Sequence, residues 1–117
     1  MVTAVIVPNS EKAYIPSAKL KDYLLSSSHA VGKSKAKFFR EFGFDESNVH
    51  LLETGLLSIV FVEDVTNVTV SPHGTKYTVD GLLLTPTGTT VHVRTIWILE
   101  TDQNEPRFVT AHPLPKE

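Results

Sequence analysis

The hydrophobic pattern of this chain changes its period once, near Phe61, and that switch limits the available folds more than any other feature. Upstream of it apolar residues recur three and four apart, as on a helix; downstream they alternate, as on a strand. Four alternating stretches run from about Val65 to Val70, Lys76 to Leu84, Thr89 to Leu99 and Arg107 to His112. Pro72-His73-Gly74, Pro86-Thr87-Gly88 and Asp102-Gln103-Asn104-Glu105 join them, all turn chemistry. Connections this short make neighbouring strands antiparallel, so the C-terminal half reads as a meander. Helices first and a meander second is the α+β pattern. It predicts two to three N-terminal helices packed on one face of a four- to five-stranded antiparallel sheet. At 117 residues the chain is expected to be a single domain, 1–117.

Within the N-terminal half, MVTAVIVP is a β-branched run closed by Pro8 and reads as a strand, followed by a loop or short edge strand ending at Pro16. Ser17 is the expected N-cap of a helix reaching about Leu25, with Leu20, Tyr23 and Leu24 on one side and Ser26 to Ser28 as its stop. A second helix is predicted over Lys33 to Phe42, with Ala36, Phe38, Phe39 and Phe42 within one apolar arc and Gly43 just beyond its end. Asp45 or Ser47 caps a third, which carries Val49, Leu52 and Leu56 and fades between Gly55 and Ile59.

Lys35 interrupts the second helix's pattern. It falls inside the apolar arc, whereas Lys33, Lys37, Arg40 and Glu41 fall opposite. A half-buried ammonium is costly unless it is paired or its head escapes to the rim. Lys35 therefore either snorkels past the helix end or reaches a shared pocket to meet an anion.

Composition removes several function classes. With no cysteine, disulfides, thiolate zinc sites and cysteine nucleophiles are excluded. The five histidines, His29, His50, His73, His92 and His112, have no ligand spacing, so no metal is expected. There is no phosphate loop, dinucleotide fingerprint or nucleophile elbow, and no cofactor is expected. No apolar run approaches membrane-spanning length and no leader is visible, which predicts a cytoplasmic protein without a membrane partner. The net charge of -2 argues against nucleic-acid binding through bulk charge, but the charge is unevenly spread. Lys12 to Arg40 holds seven bases and one acid, Asp22; Glu41 to Asp64 holds six acids and no Lys or Arg. Either these are two solvated faces of opposite sign, or the first is a basic mouth suited to phosphate, to which Lys33 and Lys37 would contribute binding.

On the longest strand, Val91, Val93, Thr95, Trp97 and Leu99 face one way, and His92, Arg94, Ile96 and Ile98 the other. Pairing Ile98 with Phe108 would set Ile96 beside Thr110 and Arg94 beside His112. Arg94 has a structural alternative, an ion pair with Asp80 or Glu100. His29, Lys35, Arg94 and Thr110, with Thr95 and His112 as binding residues, suit metal-free cleavage of RNA. In that reaction the neighbouring 2′-hydroxyl attacks phosphorus and leaves a 2′,3′-cyclic phosphate. It needs a base, an acid and fixed positive charge around the transition state. Histidine provides the first two, and lysine and arginine the third.

The series KLKDYLL, His29, Gly32, KAKFFREFGF, YTVDGLLLTPTG, VRTIWIL and PRFVTAHP, from about Lys19 to Pro113, resembles an uncharacterised family of small bacterial domains. Members occur free-standing and as tails on larger toxin-like or phage-related proteins. The layout, a histidine-lysine helix followed by a meander ending in a Thr-Ala-x-Pro strand, is also similar to the barnase and RelE-like toxin ribonucleases. That resemblance implies that His29 and Lys35 form a helix-side catalytic pair, with Arg94 and Thr110 as sheet-side partners. It further implies RNA as substrate and a cognate antitoxin or immunity protein as partner. Two departures stand out: many members of the narrower family carry an aromatic residue where this chain has His112, and MVTAVIVPNSEKAYIP is not part of the shared pattern. The alternative function is a non-catalytic interaction or immunity-like module, which the acidic Glu41 to Asp64 segment favours. A small-molecule binder using the same pocket is a third.

Overall fold

The alternating half of the chain forms one antiparallel sheet of β1 (Val65–Ser71), β2 (Gly74–Leu84), β3 (Thr90–Glu100) and β4 (Arg107–Pro113), in that spatial order. It is seen in a computed structural model that describes residues 5–20, 24–25 and 33–114, apart from the side chains of Lys33 and Ser34. The helical half supplies α1 (Ser17–Lys19), α2 (Lys33–Glu41) and α3 (Val49–Val62). The α+β architecture is as the period switch predicts.

The helices cover the sheet face on which Val79, Leu83, Val93, Thr95, Trp97, Phe108 and Ala111 are buried. Leu20, Leu24, Leu25, Ala36, Phe39, Phe44, Leu52, Leu56, Ile59 and Val60 close over it. The arc read for α2 is largely right: Ala36 and Phe39 are buried and Phe38 and Phe42 half-buried. Gly43, at φ 97°, ends α2 in a Schellman motif, in which the Phe44 N–H reaches the Phe39 carbonyl and the Gly43 N–H that of Arg40. The rings of Phe39 and Phe44 then pack edge to face with centroids 6.2 Å apart, which anchors the helix end in the core.

Several expectations need correction. Residues 5–8 are not a strand; their link to the sheet is the Val65 N–H donated to the Val5 carbonyl. The segment after them makes a 3-10 turn at Ser10–Lys12 and an isolated parallel bridge from Tyr14 to Arg107, the first residue of β4. Ser17 is the first residue of α1, and the N-cap is Pro16, which offers no side-chain hydrogen bond. Tyr23 and Ser26 to Ser28 lie outside the described residues. Asp45 does cap, accepting from the Ser47 N–H at 2.8 Å, but it caps a 3-10 turn, Glu46–Asn48, that leads into α3.

The largest difference is the length of α3, which continues to Val62 rather than fading between Gly55 and Ile59. Gly55 does not break the helix because it packs against the Leu83 side chain, while Ile59 packs against Gly81 of β2. Each glycine receives the other element's side chain, so helix and strand approach closely. A helical glycine costs about 1 kcal/mol relative to alanine, and here the packing it permits offsets that.

Candidate functional site

On the sheet face opposite Trp97, the register aligns Asp80 of β2, Arg94 of β3 and His112 of β4 in one row. The neighbouring row holds Thr78, Ile96 and Thr110. Arg94 sits beside His112 and Ile96 beside Thr110, as expected from the sequence. The expected pairing of Ile98 with Phe108 is corrected: a bulge after Ile96 sets Trp97 opposite Phe108 and Ile98 opposite Arg107. The bulge turns the Phe108 ring onto the Trp97 side, where the two meet edge to face at 5.2 Å.

Arg94 is held by two parallel bonds: Nε donates to Asp80 Oδ1 and Nη2 to Oδ2, both at 2.9 Å. This fork-to-carboxylate geometry fixes the plane of the guanidinium and leaves the Nη1 end outside the pair. Of the two acids offered by the sequence, the hairpin register selects Asp80; Glu100 instead accepts from Arg107 at 2.9 Å. The pair is only partly shielded, with 41% of the Arg94 side chain and 18% of the Asp80 side chain exposed.

His112 completes the row. Burial holds its imidazole below the ordinary 6.5, the charges of Lys35 and Arg94 lower it further, and Asp80 opposes them. The Lys35 charge therefore reaches this row from α2, which packs against β4. Lys35 is half-buried. One row of the sheet thus holds a guanidinium, a carboxylate and an imidazole of depressed basicity, and α2 adds the influence of the Lys35 charge on that imidazole.

The other candidates are placed less uniformly. Thr110 is half-buried, one register row from the Arg94 row and on its face. Thr95 lies on the opposite, helix-covered face and is buried; its hydroxyl donates to the Val79 carbonyl at 2.6 Å and accepts from Trp97 Nε1 at 2.8 Å. It ties the core together and is not brought to the Arg94 row. Strand alternation alone carries that information, since residues 94 and 95 must point apart. Lys37 is exposed on α2. His29 and the side chain of Lys33 lie outside the described residues. Asp80, expected from the sequence only as a structural partner of Arg94, is a member of the row, and its signal is the Pro86-Thr87-Gly88 hairpin, whose register pairs 80 with 94.

Among the described residues no group of three or more His, Cys, Asp or Glu is arranged to hold a metal ion, and no helix is long and apolar enough to cross a membrane.

The chain is similar in structure to a chain of a contact-dependent growth inhibition toxin–immunity protein complex from Klebsiella pneumoniae 342. The TM-score is 0.73 at 17% sequence identity, covering 92% of this chain and 98% of that one. At that identity the likeness is one of fold. No curated protein matches the sequence. A family model does, over residues 6–115, and by that match the chain belongs to DUF6883, a domain of unknown function.

Proposed function

We propose that this domain is a toxin-type endoribonuclease that cleaves RNA without a metal ion. The observation that carries the reading is the convergence of Arg94, His112 and the Lys35 charge around a carboxylate-oriented guanidinium. Because its basicity is depressed, His112 is neutral at pH 7 and has a lone pair to offer. In the proposed step it takes the proton of the 2′-hydroxyl as that oxygen bonds to phosphorus. The bond from phosphorus to the 5′-oxygen breaks, and the leaving oxygen takes a proton from a second acid, a role we assign to His29. Arg94, its plane set by Asp80, presents its Nη1 end to the phosphate oxygens. Lys35 adds charge to the same developing dianion, and Thr110 offers a hydroxyl on the same face. The shared fold with a chain of a toxin–immunity complex fits this reading, and a cognate immunity protein would then be its partner.

The test is incubation of the purified chain with a mixed RNA pool in EDTA, followed by analysis of the new 3′ ends. Cyclic phosphate ends are expected, with His112→Gln and Arg94→Ala each slowing cleavage by about 100-fold or more. Expression in bacteria should slow growth, and Lys35→Ala should relieve it.

A second reading, a non-catalytic immunity-like module, is favoured by Asp80, which neutralises Arg94, and by the acid-only stretch from Glu41 to Asp64. Intact RNA together with harmless expression would decide for it.

A further inference from the structure

β1 pairs with β2 only as far as Val79, so Gly81–Leu84 has β3 on one side and, among the described residues, no strand on the other. α3 runs beside this open edge, with Gly55 against Leu83 and Ile59 against Gly81. Between helix and strand lies a groove of about 350 Å³, lined by Leu51, Thr54 and Ser58 of α3 and Leu82 and Leu84 of β2, and closed at one end by Thr85 and Pro86. Its leucines are not sheltered: Leu51 is 45% exposed, Leu82 63% and Leu84 67%. An unpaired strand edge bordered by exposed leucines is a template for an added strand. Backbone bonding supplies affinity there, and alternate side chains enter the groove.

Charge identifies the occupant. No charged side chain lines the groove, but Glu63 and Asp64 stand where α3 turns into β1, whereas Glu46, ahead of α3, is already paired with Arg40. Glu63 itself lies over Gly81 at the strand edge. A second copy pairing through the same edge would bring two acidic borders together, which like-charge repulsion opposes. A strand carrying Lys or Arg where it passes Gly81 would meet the opposite charge of Glu63 there.

We propose that the open edge of β2 at Gly81–Leu84, together with the flank of α3, is a docking surface for an extended segment of another protein, apolar along one face and basic where it passes Gly81. The surface lies outside the Arg94 row, and the proposal does not depend on ribonuclease activity.

Two synthetic ten-residue peptides test it, sharing an alternating Val-Thr centre and flanked by Lys pairs in one and Glu pairs in the other. Each is titrated into the methyl- and amide-labelled chain at low salt. The Lys-flanked peptide is expected to shift the Leu51, Leu82 and Leu84 methyls and the Gly81–Leu84 amides saturably, and to bind at least about tenfold more tightly than the Glu-flanked one. The double variant L82K/L84K, at exposed positions, should weaken binding by at least about tenfold while leaving the melting temperature unchanged. Shifts centred elsewhere, no saturable shifts, or equal affinity for both peptides would overturn the proposal. So would concentration-dependent dimerisation in sedimentation that L82K/L84K abolishes, since the edge would then serve a second copy. Loss of the RNA-cleavage reading leaves these readouts untouched.

Discussion

On the helix-covered face of β3 the Thr95 hydroxyl gives its hydrogen to Val79 and takes the Trp97 indole N–H, closing a neutral chain of bonds away from water. One residue earlier, on the opposite face, Arg94 is also bonded twice, but to a carboxylate and with much of its surface still wet. Both side chains are satisfied, and the difference lies in what is left over. Thr95 has spent its hydroxyl hydrogen inside the core, whereas the Asp80–Arg94 pair keeps part of its guanidinium, and the neighbouring imidazole, open to a ligand. Among the described residues no buried side-chain polar atom lacks a partner, so the inner face has no reserve of chemistry. The outer face does, and that is why the candidate site belongs there.

This contrast can be broken by mutation. Trp97→Ala should destabilise most, by about 3–5 kcal/mol in urea titration, since it empties the centre of the core. Gly55→Val should cost about 1–3 kcal/mol by driving a side chain into Leu83; an unchanged midpoint would mean that α3 and β2 are less closely packed than described. Thr95→Val keeps the volume but leaves the Trp97 indole N–H unpaired, so a loss of about 1–3 kcal/mol is expected, with cleavage per folded molecule unaltered. Arg94→Gln should show the reverse, about 1 kcal/mol in stability because the guanidinium is itself largely wet and Gln can still donate to Asp80, with cleavage largely lost. If Arg94→Gln proved as destabilising as Trp97→Ala, the outer row would be a second core and the site would dissolve.

The smallest effect concerns pH. His112 binds its proton more weakly when folded than when unfolded, so its environment favours folding above the unfolded value of 6.5. As pH falls through 6.5 toward the lower folded value, the unfolded chain takes up the proton first and that contribution is lost. Stability measured from pH 7.5 down to pH 5 should therefore fall more in the native chain than in His112→Gln. Parallel profiles would show that neither burial nor the Lys35 and Arg94 charges depress the ring's basicity.

Much of the framework was legible without coordinates. The four strands, their turns and the glycine that ends α2 follow from period and turn chemistry, which are local properties. Gly55 shows where local reasoning failed: propensity treats a helical glycine as weakness, and only the facing Leu83 turns it into a fit. The bulge after Ile96 was likewise invisible, because one extra residue in β4 leaves no mark on the alternation until its partner strand is fixed. Thr95 is expected as a binding residue beside Arg94, although strand alternation already separates their faces.

By itself the sequence determined the class of fold, the antiparallel order of the strands and the presence of a lysine where an apolar residue belonged, because each is encoded within a few residues of chain. Only the tertiary structure decided which acid holds Arg94, that a bulge after Ile96 brings Phe108 against Trp97, and that the Lys35 charge is felt at His112. Those are distances between residues far apart in the chain, set by strand register and by the packing of α2 against β4, and no local pattern contains them.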